Sequence, residues 1–273
     1  MKSIKIIDGA NEFEFTDTRE GGTLFRTLEG FAYPTVRPVI EDLPVREGSH
    51  YITSKFGRRR IGINAHLVND CINKRRELVS AMSQGALKVL RFTTFDDLEL
   101  QAEVEVVSVN ALYTKLATPI LVELVAPDPR LYSQALQSTT TVTTNIIGGT
   151  EIPTAIPLSL AVTSGVQKPI IINNGTSSAP ATFVIEGPGT NFTIQNQTTG
   201  DILYLNLTLL TGERVTITET TAVKGTNQNV FGSVSGTRWS VQPGSNIVHF
   251  DALTGSDSNT KLTVSFRHSY MGV

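Results

Sequence analysis

A mainly β protein in two parts is what the sequence predicts: an N-terminal α+β domain with a barrel-like sheet and one helix, then a two-sheet β-sandwich. Three observations carry this. Apolar residues alternate with polar ones at period two through most of the chain, and one stretch alone switches to helical spacing. Charge is split unevenly, with 17 Lys/Arg and 18 Asp/Glu in residues 1–134 against 6 and 7 in residues 135–273. Between the halves, "QSTTTVTTNIIGGTEIPTAIP" is rich in Thr, Gly and Pro and reads as a connection. The expected division is a domain over 1–134, a linker over 135–155 and a sandwich over 156–273.

The elements follow in order. "SIKIIDGANEFEF" holds two short alternating runs about Asp8-Gly9, a hairpin signal. "IGINAHL" sets Ile61, Ile63, Ala65 and Leu67 on one face. "NDCINKRRELVSAMSQG" predicts the helix, with Asp70 as N-cap, Ile72, Val79 and Met82 on the inward stripe and Gly85 as the stop. Two strands about an Asp96-Asp97 turn come next, with Leu98, Leu100, Ala102, Val104 and Val106 in phase, and "PILVELVA" then leads into "PDPRLY". In the second half, "TFVIE" buries Phe183 and Ile185, and "DILYLNLTLL" turns Leu203, Leu205, Leu207 and Leu209 inward. "RVTIT" buries Val215 and Ile217, and "KLTVSFR" buries Leu262, Val264 and Phe266. Turn residues separate these runs at sandwich-like intervals.

Composition narrows function. In 273 residues, 40% are apolar and 18% charged, and the net charge of −2 offers no bulk attraction to nucleic acid or an anionic membrane. No stretch approaches 18 uninterrupted apolar residues, and the first residues alternate like a strand where a signal peptide would be continuously apolar. One cysteine, Cys71, allows no internal disulfide. Four Asn-x-Thr triplets begin at Asn174, Asn191, Asn196 and Asn206. Chance placement in so Thr- and Ser-rich a segment yields roughly three, and acceptor triplets matter only in a secretory lumen.

Catalytic chemistry is not visible. His50, His66, His249 and His268 are scattered, with no i, i+4 pair and no cysteine pair to complete a metal site. There is no Gly-x-Ser-x-Gly, and Cys71 reads as a small apolar residue between helix and sheet. Asp96-Asp97 lacks the further oxygens that calcium wants and reads as a turn. "GPG" and "IIGGTE" lack the context of a phosphate loop. The expectation is no enzyme, no cofactor and no metal. The concentrated charge lies in Arg58, Arg59 and Arg60, with Lys74, Arg75 and Arg76 on the following helix. This pattern suits a solvated or protein-facing patch better than nucleic acid, since no aromatic residues interleave for base stacking.

The order of these elements resembles the distal tail protein family of long-tailed, non-contractile bacterial viruses. "RRRIGINAHL", the helix "NKRRELVSAM", the strand pair ending "VEVVSV" and the stretch "APDPRLY" are similar to that family's N-terminal domain. "IINNGTSSAPATFVIEGPGTNFTIQNQTTGDILYLN", "LTGERVTI" and "RWSVQPGSNIVHF" look like its C-terminal galectin-like sandwich. The resemblance covers nearly the whole chain and rests on order and spacing, not on one motif. It implies a structural hub: a homo-hexameric ring closed by N-terminal domains, joining the tail tube protein to tail-tip and receptor-binding proteins. The implied location is the virion tail tip, after synthesis in the bacterial host cytoplasm, with no sequence-specific nucleic acid and no membrane insertion. Under this reading the oligomer interface involves Arg58, Arg59, Arg60, Lys74, Arg75 and Arg76. The alternative is a carbohydrate-binding sandwich for bacterial surface glycan, with Trp239 as its stacking residue, whereas the size of its ring favours reading Trp239 as a core or edge-packing residue. The His-x-Asn-Pro-Arg stretch by which galectins hold galactose is absent.

Overall fold

The computed structural model describes residues 1–42, 47–82, 85–112, 117–142 and 168–273. The chain forms two compact units, one of residues 1–134 with 269–273 and one of residues 135–268.

The first unit contains strands β1 (Ser3–Asp8), β2 (Asn11–Thr16), β3 (Thr23–Glu29), β4 (Val36–Asp42), β5 (Ser49–Phe56) and β6 (Arg59–Leu67). Helix α1 (Cys71–Ala81) follows, then β7 (Lys88–Thr93), β8 (Glu99–Ala111), β9 (Thr118–Ala126) and β10 (Leu131–Ser133). The main sheet runs β2-β1-β7-β8-β9-β6-β3, all neighbours antiparallel. Its two end strands approach each other where Asp17 and Thr18 bridge to Thr23, so the sheet curls into the barrel-like form expected. Alternation explains its core: Ile61, Ile63, Ala65 and Leu67 of β6 and Leu100, Ala102 and Val104 of β8 are buried, as are Phe13 and Phe15 of β2. A bulge between Val106 and Ser108 then reverses the phase of β8 and leaves Val107 outside.

Helix α1 packs on β1, β2 and β6 through Cys71, Leu78, Ala81 and Met82. Of the expected stripe Met82 is buried, but Ile72 and Val79 are 42% and 56% exposed, which corrects those two. The two stripes differ by one residue, about 100° around the helix, and both carry apolar residues. Asp70 sits at the N-cap in a left-handed conformation and accepts from Asn73 Nδ2, but makes no side-chain capping bond to a backbone amide. The helix ends at Ala81, before Gly85.

The second unit comprises β11 (Gln137–Val142), β12 (Ile170–Asn173), β13 (Thr182–Glu186), β14 (Gly189–Asn196), β15 (Ile202–Leu209), β16 (Arg214–Ile217) and β17 (Ala222–Lys224). Strands β18 (Gln228–Asn229), β19 (Val234–Gly236), β20 (Gly244–Thr254) and β21 (Lys261–Phe266) complete it. One sheet runs β11-β21-β13-β16-β17-β18 and the other β12-β20-β14-β15-β19. Between them lie Phe183, Ile185, Leu203, Leu205, Val215, Ile217, Leu262, Val264 and Phe266, as their alternation requires.

Two boundaries differ from expectation. Residues 137–142, assigned to a linker by composition, pair with β21 from Gln137↔Phe266 to Val142↔Lys261. Residues 143–155 of that linker, and the start of the expected sandwich up to residue 167, lie outside the described residues. Residues 269–273, assigned to the sandwich, belong to the first unit, where β22 (Ser269–Tyr270) pairs with β10. In covalent order the sandwich is an insertion between β10 and β22.

Candidate functional site

Of the six cations singled out, Arg58, Arg60 and Arg76 are exposed, whereas Lys74 and Arg75 are half-buried and Arg59 is 1% exposed. The correction for Arg59 follows from strand phase. It shares the inward face of β6 with Ile61 and Ile63, while Arg58 and Arg60 take the outward face. A guanidinium drawn inside has to satisfy its donors, and Arg59 does so on main-chain carbonyls. Its Nε donates to Pro129 O at 2.7 Å, Nη1 to Gly30 O at 2.5 Å and Ala32 O at 2.6 Å, and Nη2 to Met271 O at 2.5 Å. Three distant stretches are thereby tied to one side chain. Burial pushes its pKa down from the usual arginine value, and the nearby Asp128 charge opposes that. Gly30 is required in this cluster: its φ is +85°, and a Cβ there would meet Arg60 O at 1.8 Å.

Asp128 organises the adjoining "APDPRLY". Its Oδ1 accepts from the Arg130 backbone amide at 3.0 Å and from Arg130 Nε at 2.9 Å, and its Oδ2 accepts from Tyr132 Oη. Burial works against the carboxylate, but these bonds and the Arg130 charge outweigh it and hold its pKa below the usual carboxylate value.

Arg58 and Arg60 line a groove of about 440 Å³ with Glu29, Gly62, Val107, Glu123 and Val125. Opposite charges therefore face one another across the outer surface of β3, β6, β9 and β8. Ser108 Oγ donates to Glu123 Oε2 at 2.9 Å, which fixes one acid. The helix contributes no lining residue, so the cations expected to act together are separated. Lys74 instead donates to Gly21 O at 2.9 Å.

Strands β4 and β5 are a feature missed in the sequence. They form a two-stranded sheet that pairs with no other strand among the described residues, and every residue of both is exposed. Ile40 and Tyr51 are register partners at 54% and 59% exposure, and Val36, Val39, Ile52 and Phe56 are also exposed. At the base, Phe56 meets Tyr33 edge to face at 5.5 Å, and the Gly57 amide donates to Thr35 O at 2.8 Å. The available signal was "VRPVIED" followed by "SHYITSKF", two β-branched and aromatic runs.

In the sandwich, Trp239 is 3% exposed, donates Nε1–H to Ile194 O at 3.3 Å and packs edge to face on Phe183 at 4.7 Å. It belongs to the core, in line with its reading as a packing residue, and offers no ring face to the sugar of the alternative reading. Asn196, one of the triplet asparagines, is fully buried; its Nδ2 donates to Asn246 Oδ1 at 3.0 Å. Asn246 in turn closes the "PGSN" turn by bonding Gln242 and Gly244. Among the described residues, no three His, Cys, Asp or Glu side chains gather as a metal site. Among the described residues, no helix is long and apolar enough to cross a membrane.

Residues 174–270 match the family model of the siphovirus-type tail component, C-terminal domain. No curated protein sequence matches the chain. Among solved structures, the Dit protein (gp 19.1) of phage SPP1 aligns over 97% of this chain and 98% of its own, at 11% identity and a TM-score of 0.65. It is described as a paradigm of the hub adsorption apparatus in phages that infect Gram-positive hosts. Chains of the phage p2 baseplate in its activated conformation, with calcium and with strontium, each align over 99% of both chains at 12% identity and a TM-score of 0.54. The chain thus has the Dit fold along nearly its whole length, and its last third carries that family's C-terminal domain pattern.

Proposed function

We propose that this protein is a structural, non-enzymatic hub of a phage tail tip, in which six copies close a ring through their first units. The ring joins the tail tube protein above to the distal tail, baseplate and receptor-binding components. The likeness to the SPP1 hub and the p2 baseplate chains supports the class.

The observation that carries self-association is the β4–β5 ribbon. Isolated two-stranded ribbons are marginal in water, and apolar patches on monomers are usually small. A ribbon bearing Val36, Val39, Ile40, Tyr51, Ile52 and Phe56 in solvent needs a surface to cover it. A second copy supplies one through a heterologous contact, in which the ribbon meets a different patch on its neighbour and rotation closes the ring. The outward face of α1, where Ile72, Arg76 and Val79 lie together, and the charged groove of Arg58 and Arg60 are candidate receiving surfaces. Charge complementarity at such a groove sets register more than it adds affinity.

Native mass spectrometry of the purified chain tests this. Six copies, or a pair of such rings, is the expected species; a monomer at every concentration and ionic strength overturns the proposal.

A further inference from the structure

We propose that residues 269–273 act as a completion latch, docking into the first unit only after the sandwich has been synthesised and leaving that unit unfinished until they arrive.

The geometry is specific. β22 adds to β10 with Leu131↔Tyr270 and Tyr132↔Ser269 in register. Met271 O fills the remaining side of the Arg59 guanidinium, and the Val273 amide donates to Phe31 O at 3.1 Å. Ser269 is fully buried, and Tyr270 packs against the core of the first unit. Gly272 passes so near the chain that a Cβ there would meet Ala32 O at 2.6 Å. These five residues occupy a shaped seat made by three segments, residues 30–33, Arg59 and residues 129–132.

Synthesis runs from N- to C-terminus, and domains ordinarily fold as they emerge. Here the first unit emerges with Arg59 bonded to at most three of its four carbonyls and with β10 paired to β8 alone. A buried guanidinium missing a partner is costly, so the unit stays loose around Arg59 while residues 135–268 are made. A chain cut short within the sandwich therefore cannot present a finished first unit. The inference holds whether or not the protein forms a ring.

Native-state hydrogen exchange of the full-length chain in rising denaturant is the first test. The amides of Tyr270 and Val273 are expected to open together with the β6 core, not with β13 and β15. A tail that exchanges on its own, far faster than β6, overturns the proposal. In Gly272→Val, the amides of residues 131–133 are expected to exchange roughly 100-fold faster, the scale of unpairing a buried charge, while sandwich amides keep their protection. Unchanged protection at 131–133 also overturns it. If Gly272→Val does not fold, the wild-type exchange decides. Ribosome-bound chains arrested after residue 268 or 273, with the same unstructured spacer, test the order of events. Protease resistance of the first unit is expected only with residues 269–273 present, and equal resistance refutes the latch.

Discussion

The two units have cores of the same kind and surfaces that differ in degree. Each packs alternating Ile, Val, Leu and Phe side chains at close to zero exposure. The sandwich covers much of its core with Thr, Asn and Ser, some bonded to each other across strands, as in Thr140–Thr263, Thr190–Thr208 and Ser265–Ser138, although Ile170, Ile172, Leu210 and Leu253 are exposed there too. The first unit places charge and apolar side chains outside, on the β4–β5 ribbon, along α1 at Ile72 and Val79, and in the Arg58/Arg60 groove. What differs is the first unit's added charge and its β4–β5 ribbon, and the assembly proposed above rests on these.

The sharpest test of separable stability is a pair of core variants, one per unit. Arg59→Leu strands the carbonyls of Gly30, Ala32, Pro129 and Met271, and is expected to cost the first unit about 3–5 kcal/mol. Trp239→Ala removes a buried indole and is expected to cost the sandwich a similar 3–5 kcal/mol. Calorimetry should show each variant lowering one unfolding transition while the other stays put; a common shift would break the comparison. Next in size, Ile40→Ser with Ile52→Ser changes exposed residues, so folding should move by less than about 0.5 kcal/mol. Assembly should weaken at least tenfold by sedimentation, and an unaltered oligomer would take the ribbon out of the interface. Arg58→Ser with Arg60→Ser should weaken assembly only several-fold, and most at low salt, because exposed charges are screened.

The smallest expected effect concerns acid. Asp128 is ionised more readily in the fold than in the unfolded chain. Its contribution is therefore complete above the ordinary carboxylate value, about pH 4, and is lost as pH falls through its lower folded value. Asp128→Asn should flatten the acid limb of the first unit's stability profile, with no change in the sandwich. Urea titrations of each transition between pH 3 and 7 would measure it.

Strand phase was legible wherever one face of a sheet is buried, which covers β6, most of β8 and the inner strands of the sandwich. The same phase, applied two residues further back, also assigns Arg59 to the interior with Ile61 and Ile63; a run of three arginines hides this by suggesting a patch. Strand β11 was obscured because "QSTTTV" is polar, yet Thr is β-branched and suits an edge strand with one face in water. The ribbon could not be assigned from periodicity, since it buries neither face and no alternation is imposed on it. Five residues at 269–273 are too few to show a period, and their place is set by Arg59 and residues 30–33. The helix stripe was ambiguous for a different reason, as apolar residues stand on two adjacent faces.

The insertion of the sandwich between β10 and β22 constrains what can stand in its place. Tyr132 and Ser269 are register partners, so the exit and re-entry points lie about one strand spacing apart, roughly 5 Å. Any guest module spliced there must bring its own two ends together to that gap. The resident module does so by making its first and last strands, β11 and β21, hydrogen-bonded neighbours. Exchange among variants should accordingly favour modules whose termini are adjacent, whatever lies at their far end, and a swap that joins only one end would leave the host sheet short of a strand.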